Sequence, residues 1–150
     1  MIEVIVGCLF PMLLTPSDLP VYKDCYDTKV KVEYVLRHGD LVSRYFKEKD
    51  VLRALNIIYC ESSGIPEAVG VNTNGTRDVG LWQFNDDTWD WLSDKLNIQS
   101  SRTNKEVSTA VASWLVYNDG WHHWNSSKHC WKGHSNEMLW LQTRESMRSN

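Results

Sequence analysis

The chain has 150 residues, 42% of them hydrophobic and 23% charged, which is enough apolar material for one core and too much for a disordered polymer. A formal net charge of -3 leaves no basic field, so nucleic acid is excluded as an expected partner. The cysteines Cys8, Cys25, Cys60 and Cys130 show no C-x-x-C spacing, which excludes zinc-ribbon and thioredoxin-type motifs and leaves one or two disulfides open.

Residues 1–20 begin with the apolar run MIEVIVGCLFPMLL, a weak signal-peptide candidate: Glu3 stands where a basic start is expected, and no A-x-A-like cleavage site follows. The run is too short to span a bilayer, which takes about 20 apolar residues, so no stable membrane insertion is expected. The rest of residues 1–40 is unassigned, because Val30, Val32 and Tyr34 alternate but Val35 and Leu36 break the pattern. Leu41, Val42, Tyr45 and Phe46 recur as one helix face. After Asp50 a stronger face follows with Val51, Leu52, Leu55, Ile58 and Tyr59, and Gly64 and Pro66 stop that helix just beyond Glu61. The segment VGVNTNGTRDVG holds Asn74-Gly75, the dipeptide suited to a two-residue hairpin turn with positive φ at both positions.

Asp86 or Asp87 caps a helix running to Leu96, with Trp89, Leu92 and Leu96 on one side. Thr103 and Glu106 have capping-box spacing ahead of Val107, Ala110, Val111, Trp114 and Leu115, and Gly120 ends that helix. A last helix is expected over 135–148 from Met138, Leu141 and Met147. The sum is one domain over 1–150 of α+β class, mainly helical with one small β-hairpin.

Cleaving a glycosidic bond takes a carboxylic acid kept protonated near neutral pH, and usually a second carboxylate to stabilise or attack the oxocarbenium-like centre. Glu61 and Asp78 are candidates for the pair. Glu61 closes a helix with a buried face, where desolvation raises a carboxyl pKa; Asp78 lies on the polar hairpin. Spacing alone is weak support, since most such carboxylates are solvated surface charges.

The run from Glu61 to Asn85, ESSGIPEAVGVNTNGTRDVGLWQFN, resembles the core of c-type lysozymes: a helix-end Glu, a hairpin, an Asp and a G-L-x-Q-x-N strand. CESSG and GLWQFNDDTW are also similar to resuscitation-promoting factors and lytic transglycosylase domains, in which Cys precedes the catalytic Glu. NDGWHHWNSSKHC, residues 118–130, resembles the Trp-rich segment ending in Cys of those families. The resemblance covers residues 51 to 131 and implies a lysozyme-like fold whose hairpin borders an active-site cleft. It implies Glu61 as catalytic acid in both families. Asp78 matches the second carboxylate of c-type lysozymes only, because the transglycosylase-like families use substrate groups instead. It further implies Gln83 and Asn85 as substrate-binding amides in the cleft, with Asn72 a further candidate. Trp89 corresponds to a cleft-wall Trp and Trp121 to the Trp packed against the acid; Trp91, Trp114 and Trp140 read as core packing. Cys60 and Cys130 match a family disulfide, while Cys8 and Cys25 have no such support as a pair.

The function expected is cleavage of the β-1,4 glycan strands of peptidoglycan, with chitin-like oligosaccharides as further substrates, by a monomer needing no cofactor. The competing readings are a lytic transglycosylase giving 1,6-anhydro products and a non-catalytic glycan-binding module. His122, His123, His129 and His134 around Cys130 invite a zinc site. That site is set aside because adjacent histidines rarely reach one metal and the resemblance puts Cys130 in a disulfide, so no metal is expected. Asp86, Asp87 and Asp90 do not form the dense acidic loop of a calcium-binding relative. The sequons at Asn74 and Asn125, the first beside the expected cleft, favour a bacterial, phage or virion setting. The expected location is extracellular, periplasmic or virion-associated.

Overall fold

The computed structural model describes residues 19–132; the expected C-terminal helix, Trp140, His134, Cys8 and most of the candidate signal segment lie outside them. Helix α1, Leu19–Leu36, occupies the stretch whose pattern was ambiguous. Among its described side chains Val32 and Val35 are buried, three apart as one helix face requires, so the alternation through Tyr34 is incidental. Helices α2, Gly39–Tyr45, and α3, Glu48–Ser62, follow. Among the described residues α3 runs through the centre, with Ala54, Ile57 and Ile58 fully buried against α1 and α2. Each of the two isoleucines contributes roughly 1.5–3 kcal/mol through burial.

Three short antiparallel strands come next, β1 Val69–Val71, β2 Arg77–Val79 and β3 Phe84–Asn85, in the order β1-β2-β3. The expected hairpin is thus the first half of a three-stranded sheet. Its turn also differs from the two-residue form. Gly75 N donates to Asn72 O and Asn72 N to Thr76 O, and only Gly75 has positive φ there, at 85°. This is a three-residue loop ending in a left-handed glycine. Asn74 is released from positive φ and accepts instead from the backbone N and the hydroxyl of Thr76.

The residues Gly80–Gln83, expected within a strand, form a turn. Leu81 and Trp82 are adjacent and both fully buried, which a strand cannot give on one face because successive side chains point to opposite sides. Helix α4, Asp86–Leu96, is capped by Asn85, and helix α5, Lys105–Asp119, by Asn104. Both caps lie one or two residues from the expected Asp86 or Asp87 and Thr103. In each, an Asn in extended conformation accepts from the N–H groups of the first turn, which a residue already inside the helix cannot do. Glu106, freed of the capping box, pairs with Arg44 and Tyr45. A 3-10 segment, Trp121–Ser127, and the short helix α6, Lys128–Trp131, complete the described chain.

Aromatic rings tie these pieces together. Phe46 stacks on Trp82 and Trp121, with centroids 5.4 and 5.9 Å apart, and Trp124 sits 5.5 Å from Trp82. The indole of Trp82 donates to Thr109 of α5 and that of Trp124 to the Trp82 carbonyl, so the buried polar edges are satisfied. Trp91, expected in the core, is 46% exposed beside Lys95, while Trp114 packs at the core margin.

Candidate active site

The C-terminal end of α3 is fixed from several directions. Ser63 adopts the left-handed cap conformation and Gly64 follows at φ 80°. A Cβ on Gly64 would come within 2.8 Å of the backbone of Tyr34 and Val35, so glycine permits the close approach of the helix end to α1. His38, buried between α1 and α2, has its Nε2 2.8 Å from the Gly64 carbonyl oxygen, and burial holds its pKa below the usual histidine value. Ser62 donates to the Leu81 carbonyl at 2.8 Å, and Cys60 is bonded to Cys130 of α6, with Cα atoms 6.0 Å apart.

Glu61 is positioned by these ties. It lines a cleft together with Asp78, Gln83 and Asn85 of the sheet region and His123 and Trp124 of the 3-10 segment. Burial raises its pKa above the ordinary glutamate value, the Ser127 hydroxyl bond opposes the rise, and the negative charge of Asp78 adds to it. Ser127 Oγ lies 2.5 Å from Glu61 Oε1 and 3.2 Å from the Trp124 carbonyl oxygen. A hydroxyl has one proton and two lone pairs. It therefore donates to Glu61 when the carboxylate is ionised, and accepts from the protonated acid when its own proton turns to Trp124. Both protonation states of Glu61 are accommodated without moving a side chain. Replacing Ser127 with Ala removes the donor to the charged form, so the alkaline limb of any Glu61-dependent activity is expected to move to higher pH. A pH–rate profile of S127A superposing on the wild type would count against this pairing.

Asp78 is held differently. The register pairs Gly70 with Asp78 and Asp78 with Asn85, which puts the three on one face of the sheet. Asn85 Nδ2 donates to Asp78 Oδ1 at 2.8 Å and Asn72 Nδ2 to Asp78 Oδ2 at 3.0 Å. Each oxygen thus accepts from an amide, the pattern an ionised carboxylate takes. The amide orientation of Asn85 is set from behind, because its Oδ1 accepts from Asp87 N as the cap of α4. One asparagine thereby couples the helix start to the carboxylate. Arg102 braces the same corner, donating to the carbonyls of Arg77 and Phe84 and to Asp86; the Arg77 backbone N–H, then Arg102, hold Asp86 below its usual pKa.

Gln83 reaches the cleft at φ 49°, but its Nε2 is committed to the Ala68 and Gly80 carbonyls, leaving Oε1 as the group it can offer a ligand. Trp89 is not brought into the cleft. It is 7% exposed and packs on Phe84, because the α4 face carrying Leu92 points to the core. Trp121 is also absent from the cleft lining, lying between Phe46 and Arg53. Trp124, three residues on, lines the cleft with Glu61 instead. Sequence patterns do not single out Trp124 or Ser127, and His123 is weighed there only as a metal ligand. The helical period offered no guide inside a 3-10 segment, which turns every three residues.

A family model described as a lysozyme-like domain matches residues 43–126, a span that includes α3, the sheet, α4, α5 and most of the 3-10 segment. The chain belongs to the lysozyme-like domain family. Comparison with curated proteins gives no match. The mainly helical α+β expectation agrees with the structure, as does the Cys60–Cys130 bond. Cys25 is also disulfide-bonded. Among the described residues no helix is long and apolar enough to cross a membrane.

Proposed function

We propose that the protein is a peptidoglycan-cleaving glycoside hydrolase of muramidase type, with Glu61 as general acid and Asp78 as the second carboxylate. Membership of the lysozyme-like family supports a peptidoglycan-acting enzyme of lysozyme or transglycosylase type. The observation carrying the finer reading is that one cleft holds two carboxyl groups in unlike settings. Glu61 is desolvated and raised, whereas Asp78 accepts from two oriented amides. Divergent environments of this kind separate an acid from a stabilising carboxylate.

In this mechanism Glu61 protonates the leaving glycosidic oxygen while Asp78 stabilises the positive charge developing on the sugar, or attacks it. Water then completes hydrolysis, with Glu61 taking its proton. Gln83 Oε1 and the remaining lone pair of Asn85 Oδ1 orient sugar substituents, since both Asn85 Nδ2 protons are held by Asp78 and Thr76, and Asn72 acts through Asp78. The disulfides suit an oxidising compartment, so an extracellular, periplasmic or virion setting goes with this reading.

Hydrolysis leaves reducing ends on the muropeptides released from purified peptidoglycan, and mass spectrometry of the products reads them directly. Asp78→Asn should lose most activity while retaining its circular-dichroism spectrum. The Cys60–Glu61 arrangement with its disulfide favours the second reading, a lytic transglycosylase. Products dominated by 1,6-anhydro sugars, with Asp78→Asn cleaving at the wild-type rate, would establish that reading and end the first.

A further inference from the structure

Beside the cleft, the end of α5 gathers a second group of polar side chains that the proposed chemistry does not use. Gly120, at φ 94°, turns the chain after Asp119 so that the next two histidines fold back over it. His123 Nε2 lies 2.7 Å from Asp119 Oδ2 and His122 Nε2 lies 3.4 Å from the same oxygen. The two imidazoles are side by side with centroids 4.2 Å apart. One potential ligand atom from each of the three residues lies within 4.8 Å of the others.

Adjacent histidines rarely reach one metal, but here both present Nε2 to one carboxylate oxygen. Cys130 is in a disulfide and cannot be a ligand. We propose that Asp119, His122 and His123 form a binding site for a divalent transition-metal ion at the rim of the cleft. Two imidazole nitrogens and a carboxylate oxygen are the donor set that zinc, nickel and copper accept, while magnesium and calcium prefer oxygen. Zinc with ligands at about 2.0–2.1 Å in tetrahedral geometry separates neighbouring donors by about 3.3 Å. The two histidine–carboxylate gaps, 2.7 and 3.4 Å, lie on either side of that value, and the third pair of donors is within 4.8 Å. Asp119 ends α5, where the unpaired carbonyls of the last turn favour a cation. Three protein ligands leave one position for water or a ligand group. Because His123 also lines the cleft, an ion here fixes that ring and adds positive charge at the cleft edge.

Calorimetric titration of the full, oxidised chain with zinc chloride at neutral pH tests the site without any activity measurement, so its outcome is independent of the roles of Glu61 and Asp78. One saturable equivalent is expected. His122→Ala and Asp119→Asn, both at exposed positions, should each weaken binding tenfold or more, and His129→Ala should leave it unchanged. No saturable binding at millimolar zinc would overturn the site. So would binding that His122→Ala and Asp119→Asn leave intact, because the ion would then be held elsewhere.

Discussion

Glu61→Gln is expected to lose glycan cleavage by about 10²- to 10⁴-fold, the usual contribution of a positioned general acid. Gln keeps the shape and can still accept from Ser127, but has no proton to give. The same substitution should stabilise the fold at neutral and alkaline pH. Burial raises Glu61 above its unfolded value, so between the two values the folded chain holds a proton that the unfolded chain has released. The stability this group confers is complete below the unfolded value and is lost as pH rises through the folded one. Glu61→Gln carries no such loss, so the melting temperature of the variant should exceed that of the wild type by a margin that widens with pH. The wild-type rate should fall over the same alkaline window, as the acid deprotonates. Calorimetry across pH beside a turnover assay reads both. Wild-type turnover by the variant, or melting curves that coincide at every pH, would remove Glu61 from the role.

The coupling of lost activity to gained stability reflects how the site is built. A glutamate facing a cleft, desolvated and close enough to Asp78 to feel its charge, is a local cost that the rest of α3 must carry. His38, Ser62, Gly64 and the disulfide at Cys60 all act within three residues of it, or on its own helix end, and keep that end from fraying.

Much of this could be read from the chain before its structure. The α3 face, the stop at Gly64, the position of Glu61 at the helix end and the turn at Gly75 are all local, and local signals in sequence are physical ones. The disulfide came from resemblance, not from spacing. What escaped was of two kinds. Caps moved by one or two residues because in TNKE and NDD several side chains can serve, and the backbone conformation at Asn85 and Asn104 decides between them. Long-range partners also escaped: nothing near Ser127 marks it as the hydroxyl for a carboxylate 66 residues earlier. The choice of Trp124 over Trp121 depends in the same way on which face of a 3-10 turn meets the cleft, and Trp89 turns inward with the α4 face that carries Leu92.

Removal of the Cys60–Cys130 bond, by Ser at both positions, should lower unfolding free energy by about 4 kcal/mol. The closed loop spans 70 residues, and the loss of chain entropy it imposes on the unfolded state scales with the logarithm of that length. For a chain of this size each kcal/mol moves the melting temperature by roughly 2–4 °C, so a fall of roughly 8–16 °C is expected. The bond also has a local effect that the entropy argument does not contain. Cys60 precedes Glu61 and Cys130 follows Ser127 by three residues, so the disulfide clamps together the two short segments that bring acid and hydroxyl into contact. The double variant should therefore shift the alkaline limb of activity in the same direction as Ser127→Ala, measured well below its lowered melting temperature. A variant that melts earlier but keeps the wild-type pH profile would assign the bond to stability alone. One that melts unchanged would mean that α3 and α6 are held together by packing of Trp131 and its neighbours, with the disulfide adding nothing measurable.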